Sequence, residues 1–152
     1  MADITGGCYC GAIKFRITAK KALFSTYCHC KECRVAHSAP LYLTGGVRAS
    51  DFHIDKGEEL LKDHYAPNHP SKLNRRFCSV CGTRIYNSLT MDEPSWLPVG
   101  KYCSTFQSLY DNGIPEEFKP TCHVYTSEAV MDVSKITDGL PQYTHFPPPP
   151  SV

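Results

Sequence analysis

The stretch Cys28-His29-Cys30-Lys31-Glu32-Cys33 places three thiols within six residues. Two smaller clusters flank it in the chain, Cys8-Tyr9-Cys10 and Cys78-Ser79-Val80-Cys81, so that seven cysteines run in the order CxC, CxCxxC, CxxC. Such spacings recur in zinc sites. A structural zinc takes four protein ligands in a closed tetrahedron, whereas a catalytic zinc takes three and keeps one position open. Seven thiols divide as four plus three. The outer pairs, Cys8 with Cys10 and Cys78 with Cys81, close one site. The central triple, Cys28, Cys30 and Cys33, holds a second zinc with a vacancy, or recruits a fourth ligand from His29, His123 or Cys122 and is structural as well. The expected cofactor is Zn²⁺, two per chain.

Three thiolates on Zn²⁺ leave a net charge of −1 and favour a soft fourth ligand such as an incoming thiol. Coordination lowers a thiol's pKa and holds it as thiolate at neutral pH. That thiolate can attack a carbonyl carbon, or leave from one in the reverse direction, so that the metal both generates and positions the nucleophile. A bound thiolate raises the charge to −2, which calls for cations nearby. Arg34 follows the triple directly, and Lys31 and His29 lie inside it. The candidate catalytic residues are Arg34, as a substrate clamp, and His123, as an acid/base group near the pocket. Each has a plainer alternative, Arg34 as a surface residue and His123 as a half-buried strand histidine. His29 is a ligand, an acid/base group or a solvated side chain. Cys103 and Cys122 read as core packing, since free cysteines are among the most buried residues. Trp96, Tyr102 and Phe106 read as packing before pocket lining.

The elements that must position these groups are short strands. Ile13, Phe15 and Ile17 alternate with Lys14 and Arg16, the period of a half-buried strand. In an extended segment Cys8 and Cys10 point to one face, and Gly6, Gly7 and Gly11 let the backbone approach closely. Residues 22–27 read as a strand leading into the central triple, with a turn or short helix after Cys30. Residues 41–44 read as a strand closed by Gly45-Gly46. Weaker strand candidates are 52–54 and 60–65, and 67–70 is a turn. Residues 74–77 enter a knuckle, Cys78 to Gly82, where Gly82 suits a left-handed position, and 84–87 form the return strand. Residues 91–96 read as loop, 107–112 as a short helical turn and 122–125 as a late strand. Pro147 to Pro150 form an extended proline-rich tail. The sum is a mainly β domain of many short strands over 1–146, with a flexible tail at 147–152.

Composition narrows the function classes. The 152 residues are 41% hydrophobic and 20% charged with a formal net charge of +1, which suits a globular domain and gives no bulk attraction to nucleic acid or anionic membrane. No apolar run reaches bilayer length. The first residues lack the basic and apolar regions of a signal peptide. An odd count of nine cysteines in CxC and CxxC clusters favours thiolate ligands in a reducing compartment over disulfides. The expectation is a cytoplasmic protein with a small-molecule partner.

Four ordered motifs carry a family resemblance. Gly6-Gly7-Cys8-Tyr9-Cys10-Gly11-Ala12-Ile13-Lys14-Phe15, Cys28-His29-Cys30-Lys31-Glu32-Cys33-Arg34, Phe77-Cys78-Ser79-Val80-Cys81-Gly82-Thr83 and Asp138-Gly139-Leu140-Pro141-Gln142-Tyr143 resemble those of the glutathione-dependent formaldehyde-activating enzymes, also called the centromere protein V family. The motifs run from about residue 6 to about residue 146, nearly the whole chain. The resemblance implies an Mss4-like fold of twisted antiparallel β-sheets. It implies a structural zinc on Cys8, Cys10, Cys78 and Cys81 and a second zinc on Cys28, Cys30 and Cys33. The family's named activity joins glutathione to formaldehyde, and in reverse is a carbon–sulfur lyase. The implied partner is thus a thiol such as glutathione. The alternatives are a thiol carrier without catalysis and a structural zinc module that binds a protein. One departure is Val130-Met131-Asp132, where relatives often carry a Trp.

Overall fold

A computed structural model describes residues 2–65, 73–91 and 100–147. Two sheets make up the fold. The smaller one has the order β1-β2-β5, formed by β1 (Ile4–Gly7), β2 (Lys14–Ile17) and β5 (Phe52–Lys56), all antiparallel. The larger sheet has seven strands: β3 (Phe24–Cys28), β4 (Tyr42–Arg48), β6 (Leu61–Lys62), β7 (Leu73–Cys78), β8 (Arg84–Met91), β9 (Gly100–Phe106) and β10 (Cys122–Val124). Their spatial order is β10-β3-β4-β9-β8-β7-β6. β10 runs parallel to β3, and the other neighbours are antiparallel. One helix, α1 (Lys31–His37), follows β3.

Both sheets share a core. Ile13, Phe15 and Ile17 are almost fully buried and pack with Val47, Ile85, Cys103 and Phe118. Within the smaller sheet the Phe15 and Phe52 rings lie 5.2 Å apart, and Phe52 bridges to Tyr86 of the larger sheet at 4.5 Å between centroids. The expected alternation of β2 is therefore real, and its inward face is the seam between the sheets. A second, smaller cluster gathers Cys28, Cys33, Cys122 and Val124 with Tyr42, Tyr125 and Tyr143 around them.

Several strand bounds differ from the sequence reading. β4 does not stop at Gly45-Gly46 but continues through both to Arg48. A Cβ at Gly46 would land on the Phe24 ring, and one at Gly45 would sit 2.9 Å from Gln107 Nε2. These glycines make room for side chains inside a strand and do not end it. β9 had no counterpart in the sequence reading. The predicted 60–65 strand shrinks to two residues. The predicted helical turn at 107–112 is a 3-10 turn at Gln107–Leu109. The predicted turn at 67–70, Trp96 with most of the 91–96 loop, and all of the tail after Pro147 lie outside the described residues. No helix among the described residues is long and apolar enough to cross a membrane.

Candidate metal and thiol site

Each cysteine cluster is placed by a turn that its glycines or polar groups permit. The first was expected to be extended but is a tight turn. Cys8 N–H donates to Ile13 O at 3.2 Å, and Gly11 N–H donates to Cys8 O at 3.1 Å with Gly11 at φ +79°. The second knuckle repeats the plan: Cys78 N–H donates to Thr83 O at 2.9 Å, and Gly82, at φ +81°, donates to Cys78 O at 2.8 Å. Only glycine takes such backbone angles without strain. The two knuckles come from different sheets, β1–β2 and β7–β8, and meet face to face.

The sulfurs of Cys8, Cys10, Cys78 and Cys81 all lie within 4.8 Å of one another. Cys8 and Cys10 are 3.5 Å apart, Cys10 and Cys78 3.9 Å. A tetrahedron with Zn–S bonds of about 2.3 Å has S···S edges of about 3.8 Å, so this donor set fits a closed zinc site. All nine cysteines are free thiols. Two donors already point at these sulfurs: Ile13 N–H at 3.2 Å from Cys8 Sγ, and Thr83 Oγ1 at 3.2 Å from Cys81 Sγ. The Thr83 hydroxyl is the largest cause pulling the Cys81 thiol down to about 5.

The central triple is built differently. Cys28 ends β3, Cys30 caps α1 by accepting from Cys33 N–H at 3.4 Å, and Cys33 returns from the first turn of the helix. Their sulfurs also lie within 4.8 Å of one another, with Cys28 and Cys33 buried. No fourth His, Cys, Asp or Glu atom of the described residues joins the group. Two donors crowd Cys33 Sγ: Tyr42 Oη at 3.0 Å and Arg75 Nη2 at 3.8 Å. Cys28 and Cys30, then Tyr42 and Arg75, hold the Cys33 thiol far below its usual range against the effect of burial. Three converging sulfurs, one already favoured as thiolate, fit a soft metal such as zinc with one position not filled by these side chains.

None of the three alternative fourth ligands joins the sulfur group: Cys122 is buried in the same cluster as Cys28 and Cys33 but stands outside the triple, and the two histidines face each other. His29 is fully buried and turned toward β10, where its Nε2 lies 2.9 Å from His123 Nδ1. His123 Nε2 lies 2.7 Å from Asp138 Oδ2, and its ring stacks on Tyr27 at 4.7 Å. The parallel ladder that pairs His123 with Tyr27 and Val124 with Cys28 sets this up. The segment around Pro141–Tyr143 then zips along β10: His123 N–H donates to Pro141 O, and Tyr143 N–H to His123 O, both at 2.9 Å. Asp138 is fixed by accepting from Leu140 N–H at 3.0 Å. With Asp138 ionised and both rings neutral, His123 Nε2 carries the proton, His123 Nδ1 accepts from His29 Nε2–H, and His29 Nδ1 keeps a lone pair. That nitrogen is buried and has no hydrogen-bond partner. Burial first, then the charges of His123 and Arg34, lower the pKa of His29. The hydrogen bond from His123 is the largest cause holding the Asp138 carboxyl down.

Arg34 donates from Nε to His29 O at 3.1 Å and from Nη2 to Glu128 O at 2.8 Å, so it ties α1 to the turn before it and to the turn at Thr126–Glu128. Cys103 and Cys122 are buried, as expected of packing residues. Tyr102 and Phe106 are buried too, and Phe106 also faces a cleft beside α1. Tyr42, Arg75 and Asp138 received no role from the sequence. Asp138 stood in a recognised motif without a function, and nothing in spacing marks Tyr42 or Arg75, because Tyr42 meets Cys33 only once β4 folds back beside α1 and Arg75 reaches it from β7, 42 residues along the chain.

A family model described as glutathione-dependent formaldehyde-activating enzyme matches residues 3–128. The chain belongs to this family. All seven clustered cysteines and both histidines of the chain of rings lie within the match, while Asp138 lies just beyond it. A Schizosaccharomyces pombe protein described as an uncharacterized lyase is 25% identical over 132 residues, covering 86% of this chain and 91% of that protein. Among solved structures, a Rhodobacter sphaeroides protein shares the fold, with a TM-score of 0.56 at 16% identity over 91% of this chain and 98% of that one. Membership in the formaldehyde-activating family and the thiol clusters together support an enzymatic or thiol-binding role.

Proposed function

We propose that the protein is a zinc-dependent carbon–sulfur lyase acting on the adduct of a glutathione-like thiol with a small carbonyl compound. The observation that carries this reading is the central triple: Cys28, Cys30 and Cys33 converge with no fourth protein ligand among the described residues. Cys8, Cys10, Cys78 and Cys81 would hold a structural zinc, and the triple a catalytic one, within a single Mss4-like domain. Bound there, zinc supplies a Lewis acid that keeps a substrate thiol ionised at neutral pH.

The chain's own groups divide the remaining work. Tyr42 Oη and Arg75 Nη2 stand against Cys33 Sγ and temper the negative charge of clustered thiolates. In adduct formation the thiol proton must leave sulfur and a proton must reach the carbonyl oxygen; the reverse reaction runs this exchange backwards. His123 is the central link of the chain that handles it. His29 Nδ1 accepts, His29 Nε2–H passes to His123 Nδ1, and His123 Nε2–H passes to Asp138, whose partly exposed side chain releases the proton to water, while water supplies the proton that the carbonyl oxygen takes up. Arg34 positions His29 through the carbonyl it holds.

The test is turnover. Zinc-replete protein at one-hundredth of the substrate concentration is mixed with glutathione and formaldehyde, and adduct exchange is followed by NMR line shape or magnetisation transfer. Acceleration that Cys33→Ser abolishes is the expected result. Protein that binds glutathione stoichiometrically without acceleration would instead be a carrier, and protein that binds no thiol would be a structural module for a protein partner.

A further inference from the structure

Among the described residues, the non-glycine positions with a positive φ are Ser38 at 52° and Tyr125 at 56°. Ser38 is explained by its place: it ends α1, and its N–H closes onto Arg34 O and Val35 O. Tyr125 has no such reason. It precedes a single 3-10 turn, Thr126–Glu128, at φ 56° and ψ 38°, where a Cβ crowds the carbonyl oxygen that follows it. Such a backbone persists when its surroundings impose it, and it clusters where a side chain must be aimed.

The surroundings of Tyr125 impose it from both ends. Tyr125 N–H donates to His145 O at 3.2 Å, and Glu128 N–H donates to Tyr125 O at 3.0 Å. Thr126 donates to Tyr143 O from its N–H at 3.1 Å and from its hydroxyl at 3.0 Å. The turn is also tied to α1, because Glu128 Oε1 accepts from Lys31 N–H at 3.2 Å beside the Arg34 bond to Glu128 O. His145 and Phe146 meet the Tyr125 ring edge to face, at 6.1 and 5.1 Å between centroids.

What is aimed is a phenol beside the central triple. Tyr125 packs against the cluster that contains Cys28 and Cys33. Those two cysteines are buried, whereas Cys30 and Tyr125 are half-buried, so the sulfurs are approached from the side these two share. Burial first, and then the charges of Cys28 and Cys30, raise the phenol pKa, which puts the hydroxyl in the field of those sulfurs. A phenol is a donor at neutral pH without any shift. Tyr42 commits its hydroxyl to Cys33 Sγ. The Tyr125 hydroxyl has no hydrogen-bond partner among the described residues.

We propose that Tyr125 is a further catalytic residue, whose hydroxyl donates a hydrogen bond to the oxygen of the carbonyl compound that meets the thiol at the central triple. This rests on the lyase reading above. As sulfur attacks, the carbon–sulfur bond forms, the π pair of the C=O bond moves to oxygen, and the phenol stabilises the alkoxide until water protonates it. In reverse, water takes the hydroxyl proton, the C=O bond re-forms and the sulfur leaves as thiolate. The phenol keeps its own proton throughout. A donor aimed at a developing oxyanion acts on the transition state, so its loss falls on the rate and not on thiol binding.

Two measurements on the full-length zinc-replete protein test this. In the exchange assay with glutathione and formaldehyde, Tyr125→Phe is expected to lower kcat roughly ten- to hundred-fold, the range for one hydrogen bond to a charged group, with the KM for glutathione unchanged. In the second, ortho-fluorotyrosine is placed at position 125 and followed by fluorine NMR. Its resonance should move with S-hydroxymethylglutathione and not with S-methylglutathione, which lacks the oxygen. If Tyr125→Phe does not fold, the fluorine measurement decides. A wild-type rate in folded Tyr125→Phe, a loss confined to KM, or a fluorine signal that answers both compounds alike or neither would overturn the assignment and leave the lyase reading in place. Wild-type protein that does not turn over would remove the lyase reading itself, and the assignment with it.

Discussion

Cys33 is the residue on which the site converges: two thiols, one hydroxyl and one guanidinium surround it. The thiols come from its own stretch, the hydroxyl from β4 and the guanidinium from β7, and each can be removed singly. Tyr42→Phe deletes the hydroxyl and keeps the ring that stacks on His37. A hydrogen bond to a charged group is worth about 1.5–3 kcal/mol, so adduct exchange should slow by roughly ten-fold or more with the fold unchanged, as read by the NMR exchange assay beside an amide spectrum. Asp138→Asn removes the carboxylate that fixes the His123 tautomer. Since the Asp138 carboxyl is held down by His123, wild-type activity should persist toward the acidic side until Asp138 is protonated, and Asp138→Asn should lose rate at neutral pH while binding thiol as before. A pH–rate profile of the two proteins shows it.

His37 tests the same neighbourhood through stability. Burial lowers its pKa to about 4, below the unfolded value of about 6.5. The folded state therefore prefers neutral His37, and this contribution is full above the unfolded pKa and is lost as pH falls toward 4. Its size is on the order of 1–2 kcal/mol once partial exposure is allowed for. Urea midpoints of wild type and His37→Phe, compared at pH 7 and pH 5, should converge at the lower pH.

At the scale of elements, what the sequence could display depended on how each strand is buried. β2 has one face on the core, so its alternation was visible, and with it the seam between the sheets. β9 lies between β4 and β8 with Tyr102, Cys103, Thr105 and Phe106 all buried. A central strand covered on both sides loses its period-two pattern, and small polar residues such as Ser104 and Thr105 hid it further. β4 looked short because glycine usually closes strands, whereas here Gly46 is where the Phe24 ring crosses. Gly46→Ala should thus destabilise by about 1–3 kcal/mol through overpacking, measurable as a lower urea midpoint at unchanged secondary structure by circular dichroism. The cysteine triple and the two cysteine pairs were legible because ligand spacing is local. Tyr42, Arg75 and the Asp138–His123–His29 chain were not, because they depend on strand order and on the parallel β3–β10 ladder, neither of which a single sequence displays.

At the scale of the molecule, the four-sulfur cluster joins the two sheets: Cys8 and Cys10 sit on the β1–β2 turn of one, and Cys78 and Cys81 on the β7–β8 turn of the other. A metal held there would act as a staple beside the Phe15–Phe52–Tyr86 contacts. Phe15→Ala, which empties the seam, should cost about 3–5 kcal/mol, seen by urea unfolding of the zinc-replete protein. The family to which the chain belongs extends over both sheets and both cysteine clusters, so the two clusters are parts of one fold. The most direct measurement is the zinc content, by elemental mass spectrometry, of wild type and Cys33→Ser purified without chelator. Two equivalents are expected in wild type and one in folded Cys33→Ser. A single equivalent in wild type that added zinc does not raise, or two retained by Cys33→Ser, would contradict the division into one closed and one open site.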